Sequence, residues 1–197
     1  MTDMTNMFAG TNFNGDISKW DVARVTDMEG MFAHAERFDG DISEWDVSRV
    51  NRMSLMFIDG VFNRDISKWD VSRVKDMENM FSGNAAFNID ISRWDVSSVT
   101  DMSSAFFNAK KFNIDMSNWD VSRVKNMDNM FEGAASFTHK LCGTYFVNSR
   151  ATKGDMFEGS AGSIAQTVCE STKFSPQSDT QLKSAIGNCL RLSPKGD

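Results

Sequence analysis

Carboxylates are the most conspicuous chemistry this chain offers. Aspartate recurs in two series, Asp16, Asp41, Asp65, Asp90 and Asp115, and Asp21, Asp46, Asp70, Asp95 and Asp120. A column of carboxylates can hold calcium, and a close pair can serve as general acid and base. Every candidate pair, however, repeats in each unit, whereas an active site needs one nucleophile, one base and one orienting group. Acidic calcium-binding repeats also use a Gly-rich nonapeptide, which is missing here. The chain is therefore expected to be non-enzymatic, with no catalytic residue, metal or cofactor. His34 and His139 lie far apart in the register and read as solvated surface residues, and Cys142, Cys169 and Cys189 match no zinc spacing. Stacked like charges need compensation. Arg24, Arg49, Arg73 and Arg123 follow the second Asp series by three residues, with Ser98 the exception. Alternatively, either series accepts backbone N–H bonds in its own turn.

Bulk properties narrow the classes. The 197 residues carry a net charge of -6 and a pI near 5.0, which argues against non-specific binding to nucleic acid or anionic membrane. No apolar run approaches the ~18 residues of a membrane span. Met1 to Phe13 lacks the basic and apolar regions of a signal peptide, an absence that does not place the protein in the cytosol.

The elements that would position these residues are repeats. Trp20, Trp45, Trp69, Trp94 and Trp119 are each followed by Asp-Val, so a unit of 24–25 residues is written five times. Met-Phe follows each Trp by eleven residues, as Met31-Phe32 and Met56-Phe57, with Ala105-Phe106 the variant. Met28, Met31, Phe32 and Ala35 fall on one helical face, and Thr26 with Glu29 forms a capping-box pattern; Thr100 repeats the cap. Ile17 to Val22 reads as a short strand, bent between Ile17 and Trp20 because only Trp20 and Val22 share parity. Phe-Asn or Phe-Asp pairs between them, from Phe13-Asn14 to Phe112-Asn113, place Asn side chains where they can bond a neighbour's turn. The expectation is an α/β repeat solenoid of right-handed strand–short-helix coils with a parallel sheet on one side, over residues 1–137.

Two columns invite a binding reading. The Trp column, Trp20, Trp45, Trp69, Trp94 and Trp119, reads as a structural ladder in the core. Its alternative is an exposed ribbon for sugars, against which the aggregation hazard of such a stripe counts. Lys19, Glu44, Lys68, Arg93 and Asn118, just before each Trp, are polar and change from unit to unit. They read either as a solvated face or as a partner-binding column on a rigid frame. Glu29, Ser54, Glu78, Ser103 and Asp128 vary in the same way.

Stretches such as Asp41-Ile-Ser-Glu-Trp-Asp-Val-Ser-Arg-Val50 and Phe87-Asn-Ile-Asp-Ile-Ser-Arg-Trp-Asp-Val-Ser-Ser-Val-Thr-Asp-Met102 resemble the BspA-family leucine-rich-repeat surface proteins, over about residues 2–137. Ala105 and Met116 depart from the pattern by tolerable core exchanges. The resemblance implies a leucine-rich-repeat-like fold, an extracellular or cell-surface location and an adhesive role without catalytic residues.

After Phe137 the register decays. Leu141 takes the Ile slot, Thr144 falls where Trp belongs, and Met156-Phe157 returns to phase. Residues 138–170 read as a degenerate capping unit that covers the last apolar face. This segment resembles terminal units of protist relatives, which implies a Cys142–Cys169 disulfide and hence an oxidising compartment, with Cys189 unpaired in this chain. Residues 171–197 read as a linker and an amphipathic helix from Ser178 to Leu190. The first unit enters mid-repeat, as in a segment of a longer polypeptide. The function expected is protein binding or adhesion, toward a protein or glycan ligand. The alternative is a structural scaffold subunit within a larger multiprotein assembly.

Overall fold

The computed structural model describes residues 1–169. Its repeats stack in register, but the strand–helix solenoid expected from the sequence does not form. Among the described residues the regular elements are β1 (Lys140–Leu141), α1 (Thr144–Val147) and β2 (Ser163–Ile164), all in the capping segment. Within the repeats the chain runs through turns, joined from coil to coil by single parallel bridges: Asp3 to Asp27, Arg52, Asp76, Asp101, Asn126 and Thr152 in succession. The bridging column lies where the helix was expected to start, and no sheet forms around the Trp residues.

The segment from Met28 to Ala35 explains the correction. Its amides alternate between two destinations. Met28, Gly30, Phe32 and His34 donate to Arg52, Ser54, Met56 and Ile58 of the next coil at 2.8–3.0 Å. Met31, Ala33 and Ala35 close i→i+3 turns on Met28, Gly30 and Phe32. A helix would consume all of these amides internally and leave coils nothing to share. Two helical turns are too short to nucleate alone, and a stacked neighbour offers a rival set of acceptors. The alternation requires left-handed backbone at two positions per coil. Those positions hold Asn6, Gly30, Leu55, Asn79, Ser104, Asn129 and Asp155, and then Gly10, His34, Asp59, Gly83, Asn108, Gly133 and Gly159, with φ between 50° and 69°. Gly, Asn and Asp tolerate this conformation and are poor helix formers. Thr26 and Thr100, expected as helix caps, instead bond backward through their hydroxyls to the carbonyls of Thr2 and Lys75.

The i, i+3, i+4, i+7 face is nevertheless the core face: Met28, Met31, Phe32 and Ala35 are all buried. Two interleaved Phe columns run the length of the stack. Phe8, Phe32, Phe57, Phe81, Phe106, Phe131 and Phe157 stack with ring centroids 5.5–5.8 Å apart. The Phe that ends each loop packs on its own coil's ring, as Phe38 does on Phe32 at 3.8 Å. Beside them the Asn column bonds upward as expected. Asn14, Asp39, Asn63, Asn88 and Asn113 each accept, through Oδ1, the backbone N–H of the same position in the next coil.

The loop from Met56 to Phe62 is one residue shorter than its neighbours. Above it the column that elsewhere holds Ala35, Ala109 and Ala134 holds Asn84, which is fully buried. Asn84 Nδ2 donates to the Phe62 carbonyl at 3.1 Å, and its Oδ1 accepts from the amides of Ala86 and Phe87. The buried amide is thereby satisfied at both its nitrogen and its oxygen.

At the far end β1 pairs in parallel with β2, Lys140 with Ser163 and Leu141 with Ile164, and α1 buries Phe146. Cys142 and Cys169 are bonded, with Cα atoms 4.9 Å apart. The helix expected at Ser178–Leu190, with Cys189, lies outside the described residues.

Candidate binding face

Each Trp turn is built identically. In the second coil Asp41 Oδ1 accepts the Ser43 amide at 3.0 Å, the Trp45 amide closes on the Ile42 carbonyl at 3.2 Å, and the bend expected between Ile and Trp is this turn. Trp45 then reaches back, its Nε1 donating to the Ile17 carbonyl of the preceding coil at 3.1 Å. Trp69, Trp94 and Trp119 repeat the bond to Ile42, Ile66 and Ile91 at the same 3.1 Å. These four rings are 2–4% exposed, so the column is a core ladder and not a sugar ribbon. Trp20 departs from it. It stands 40% exposed, and its Nε1 has no acceptor among the described residues.

Both Asp series are turn clamps. Asp16, Asp41, Asp65, Asp90 and Asp115 each accept the amide of the Ser two residues on, and Asp21, Asp46, Asp70, Asp95 and Asp120 accept the amide two residues on, of Ala23 for Asp21 and of Ser for the others. Bonds from the Ser18, Ser67 and Ser92 hydroxyls, then from their amides, hold Asp16, Asp65 and Asp90 below the ordinary carboxylate range. For Asp41 the Ser43 amide is the larger cause. Backbone N–H groups thus compensate the stacked charge. None of Arg24, Arg49, Arg73 or Arg123 forms an ion pair with the second series among the described residues.

Pinned by Asp before it and Trp after it, the residue between Ser and Trp points outward. Lys19, Glu44, Lys68, Arg93 and Asn118 are all exposed, one on each successive turn. Glu44 and Lys68 also line a polar cleft of about 370 Å³ between the second and third coils, with Asp41, Ser43, Asn63, Arg64 and Asp65. Arg64 is fixed at its edge, pairing with the Asp39 carboxylate at 3.0 Å and bonding the Asp39 carbonyl at 2.8 Å.

Most of the other variable column is engaged internally, with Glu78 exposed. Glu29 pairs with Arg52, which also pairs with Asp27 at 2.8 Å. Ser54 is buried, and Asp128 accepts the Gly154 amide. Burial first, then the nearby Asp101 and Asp76 charges, raise the Glu78 carboxyl above its ordinary range.

Sequence reasoning missed a second cleft, at the cap. About 350 Å³ in size, it joins Asn118 and Ser117 to Gly143, Thr144, Tyr145, Val168 and Cys169. Tyr145 and Val168 are 43% and 40% exposed there. The signal was available: the chain's single Tyr sits beside Thr144, in the slot the repeat reserves for Trp.

A protein family described as "Mycoplasma protein of unknown function, DUF285" matches residues 1–67 and 58–169. The chain belongs to the DUF285 family. The two DUF285 matches together run from the first turn through the disulfide-closed cap, so the family pattern takes in the Trp turns and the cap alike. No curated protein and no solved structure matches the chain. Among the described residues no helix is long and apolar enough to cross a membrane.

Proposed function

We propose that this DUF285 chain is a non-enzymatic protein-binding or adhesion module of an extracellular or cell-surface protein, and that the row Lys19, Glu44, Lys68, Arg93 and Asn118 meets its partner. One observation carries the reading. Five side chains of differing charge stand exposed at the same point of five turns, while the residues on either side of them are held by repeated hydrogen bonds. A rigid frame with a variable row can be matched to a partner's charges at little ordering cost. The cleft beside Glu44 and Lys68 offers that partner an Arg-edged polar recess. The Cys142–Cys169 bond supports an oxidising compartment, since such bridges persist outside the cytosol. Resemblance to the BspA-family surface proteins points the same way.

The test is adhesion of the purified chain to panels of immobilised extracellular proteins and glycans, alongside Lys68→Glu and Lys19→Glu/Arg93→Glu variants. Loss of tenfold or more in binding, with unchanged thermal melts, is expected. Undiminished binding by both variants would refute the assignment of the row.

A further inference from the structure

The turn that carries Trp in every earlier coil is replaced in the cap by α1. Gly143 admits the change: a Cβ there would overlap the Ser117 carbonyl oxygen, so the cap backbone rests directly on the fifth coil. Phe146 is buried and anchors α1, which turns its neighbour Tyr145 outward, 43% exposed. Between α1 and the Val121–Val124 turn of the fifth coil lies a cleft of about 260 Å³, lined by Ser122, Thr144, Tyr145, Asn148, Ser149 and Arg150. It shares no residue with the row from Lys19 to Asn118, and only Thr144 and Tyr145 with the cleft beside Asn118.

Positive charge gathers at this cleft. Residues 120–126 and 144–153 carry Arg123, Lys125, Arg150 and Lys153 against Asp120 alone, in a chain of net charge -6. Asp120 already accepts the Ser122 amide. Arg123, Lys125 and Arg150 are exposed and form no ion pair among the described residues. Lys153 fixes the turn that presents Arg150, its Nζ donating to the Ser149 and Ala151 carbonyls at 2.9 and 2.8 Å. The polar groups are placed as well. Asn148 Nδ2 donates to the Thr144 carbonyl at 2.9 Å, and Ser149 Oγ accepts the Ala151 amide at 3.2 Å. Asn148 Oδ1 and the hydroxyl protons of Ser122, Thr144 and Ser149 have no partner among the described residues.

We infer that this cleft binds an acidic sugar residue, with its carboxylate or sulfate on Arg150 and one face of its ring against Tyr145. A guanidinium presents paired N–H donors that match the oxygens of such a group. The Tyr ring supplies an apolar wall for the C–H face of the sugar. Free hydroxyls and an amide oxygen, donors and acceptors together, suit the hydroxyls of a sugar. An acidic peptide side chain would use Arg150 and leave them idle. Arg123 and Lys125 beside the cleft raise the local concentration of an anion. Small-ligand sites join an apolar wall to a few placed polar groups in this way. The site stands apart from the row proposed above and does not rest on it.

Titration calorimetry of the full-length chain tests it with a glucuronate-bearing oligosaccharide, a sulfated oligosaccharide and a neutral oligosaccharide of the same length. At least one acidic probe should bind, and the neutral one should bind about tenfold more weakly or not at all. Which acidic probe binds shows whether carboxylate or sulfate is taken. Arg150→Ala should weaken that binding about tenfold or more, and Tyr145→Ala about threefold or more. Arg24→Ala, which removes an exposed Arg from the first coil, should leave it unchanged. Failure of both acidic probes, equal binding of the neutral one, or an equal loss in Arg24→Ala overturns the inference. So does a polyglutamate peptide that binds as tightly through Arg150, since the cleft would then read charge alone. Should a variant lose its cooperative melt, NMR of the wild type decides. The Tyr145 ring and Asn148 side-chain amide resonances should shift when the acidic probe is added, and their indifference refutes the site.

Discussion

Replacing Trp69 with Ala removes the middle rung of the ladder. The ring is 4% exposed, and its Nε1 bonds the Ile42 carbonyl of the coil below at 3.1 Å. Burying a Trp removes about 150–250 Å² from water, roughly 4–6 kcal/mol at ~25 cal/mol per Å². Truncations of this kind cost about 3–5 kcal/mol once the surroundings relax. The bared Ile42 carbonyl adds up to about 1–3 kcal/mol if water does not reach it. A stack held by nearest-neighbour joints does not spread such a loss evenly. Urea denaturation of Trp69→Ala should therefore resolve two transitions, one for each half, where the parent shows one. Trp20→Ala is the internal control: its ring is 40% exposed and lacks the bond, so the cost should be well under half as large. A Trp69→Ala protein within about 0.5 kcal/mol of the parent would refute the ladder as the source of joint stability.

Other outcomes follow from the same geometry. Asn79→Val forces a β-branched residue into φ 54° and should cost at least about 1–2 kcal/mol in chemical denaturation; a near-neutral result would restore a helix. Asn84→Ala bares the Phe62 carbonyl and should cost about 1–3 kcal/mol, whereas an unchanged melt would mean that water replaces the amide. Acidification should lower the melting temperature. Asp16, Asp41, Asp65 and Asp90 are depressed in the folded chain, so their contribution is present above the unfolded value of about 3.9 and is lost as pH falls through the folded values. Asp65→Asn should flatten part of that profile, and a melt indifferent to pH between about 5 and 2 would contradict the clamps. Non-reducing peptide mapping should recover Cys142 linked to Cys169, 27 residues apart, and reduction should destabilise the cap by roughly 3 kcal/mol.

Much of this architecture is legible in the residues, and the failure is informative. The Trp spacing marks the unit, the Asn14-to-Asn113 column marks a bonded ladder, and the lack of shared parity between Ile17 and Trp20 marks the bend. All three depend on local chemistry that repeats. The Met28–Ala35 face identifies the right buried residues but the wrong backbone, because a row of turns joined to a neighbour and a helix bury the same positions. What separates them is the pair of columns four apart, Asn6 with Gly10 and Asn129 with Gly133 among them, where Gly and Asn recur at positions a helix would give to better formers. Reading Thr26 and Glu29 as a capping box hid that signal. Asn84 and Tyr145 were missed because each is a single departure from its column, Asn84 from the Ala of Ala35, Ala109 and Ala134 and Tyr145 beside the absent sixth Trp. The outward row from Lys19 to Asn118 is legible as a position, but its partner's chemistry is written on the partner.

Everything above depends on coils that share backbone hydrogen bonds with one another. Long-range NMR couplings across hydrogen bonds test this directly at Phe81, whose amide lies 2.9 Å from the Ala105 carbonyl of the next coil. A coupling from the Phe81 amide to the Ala105 carbonyl is predicted. A coupling to Met77, four residues earlier in its own coil, would mean a helix and contradict the account.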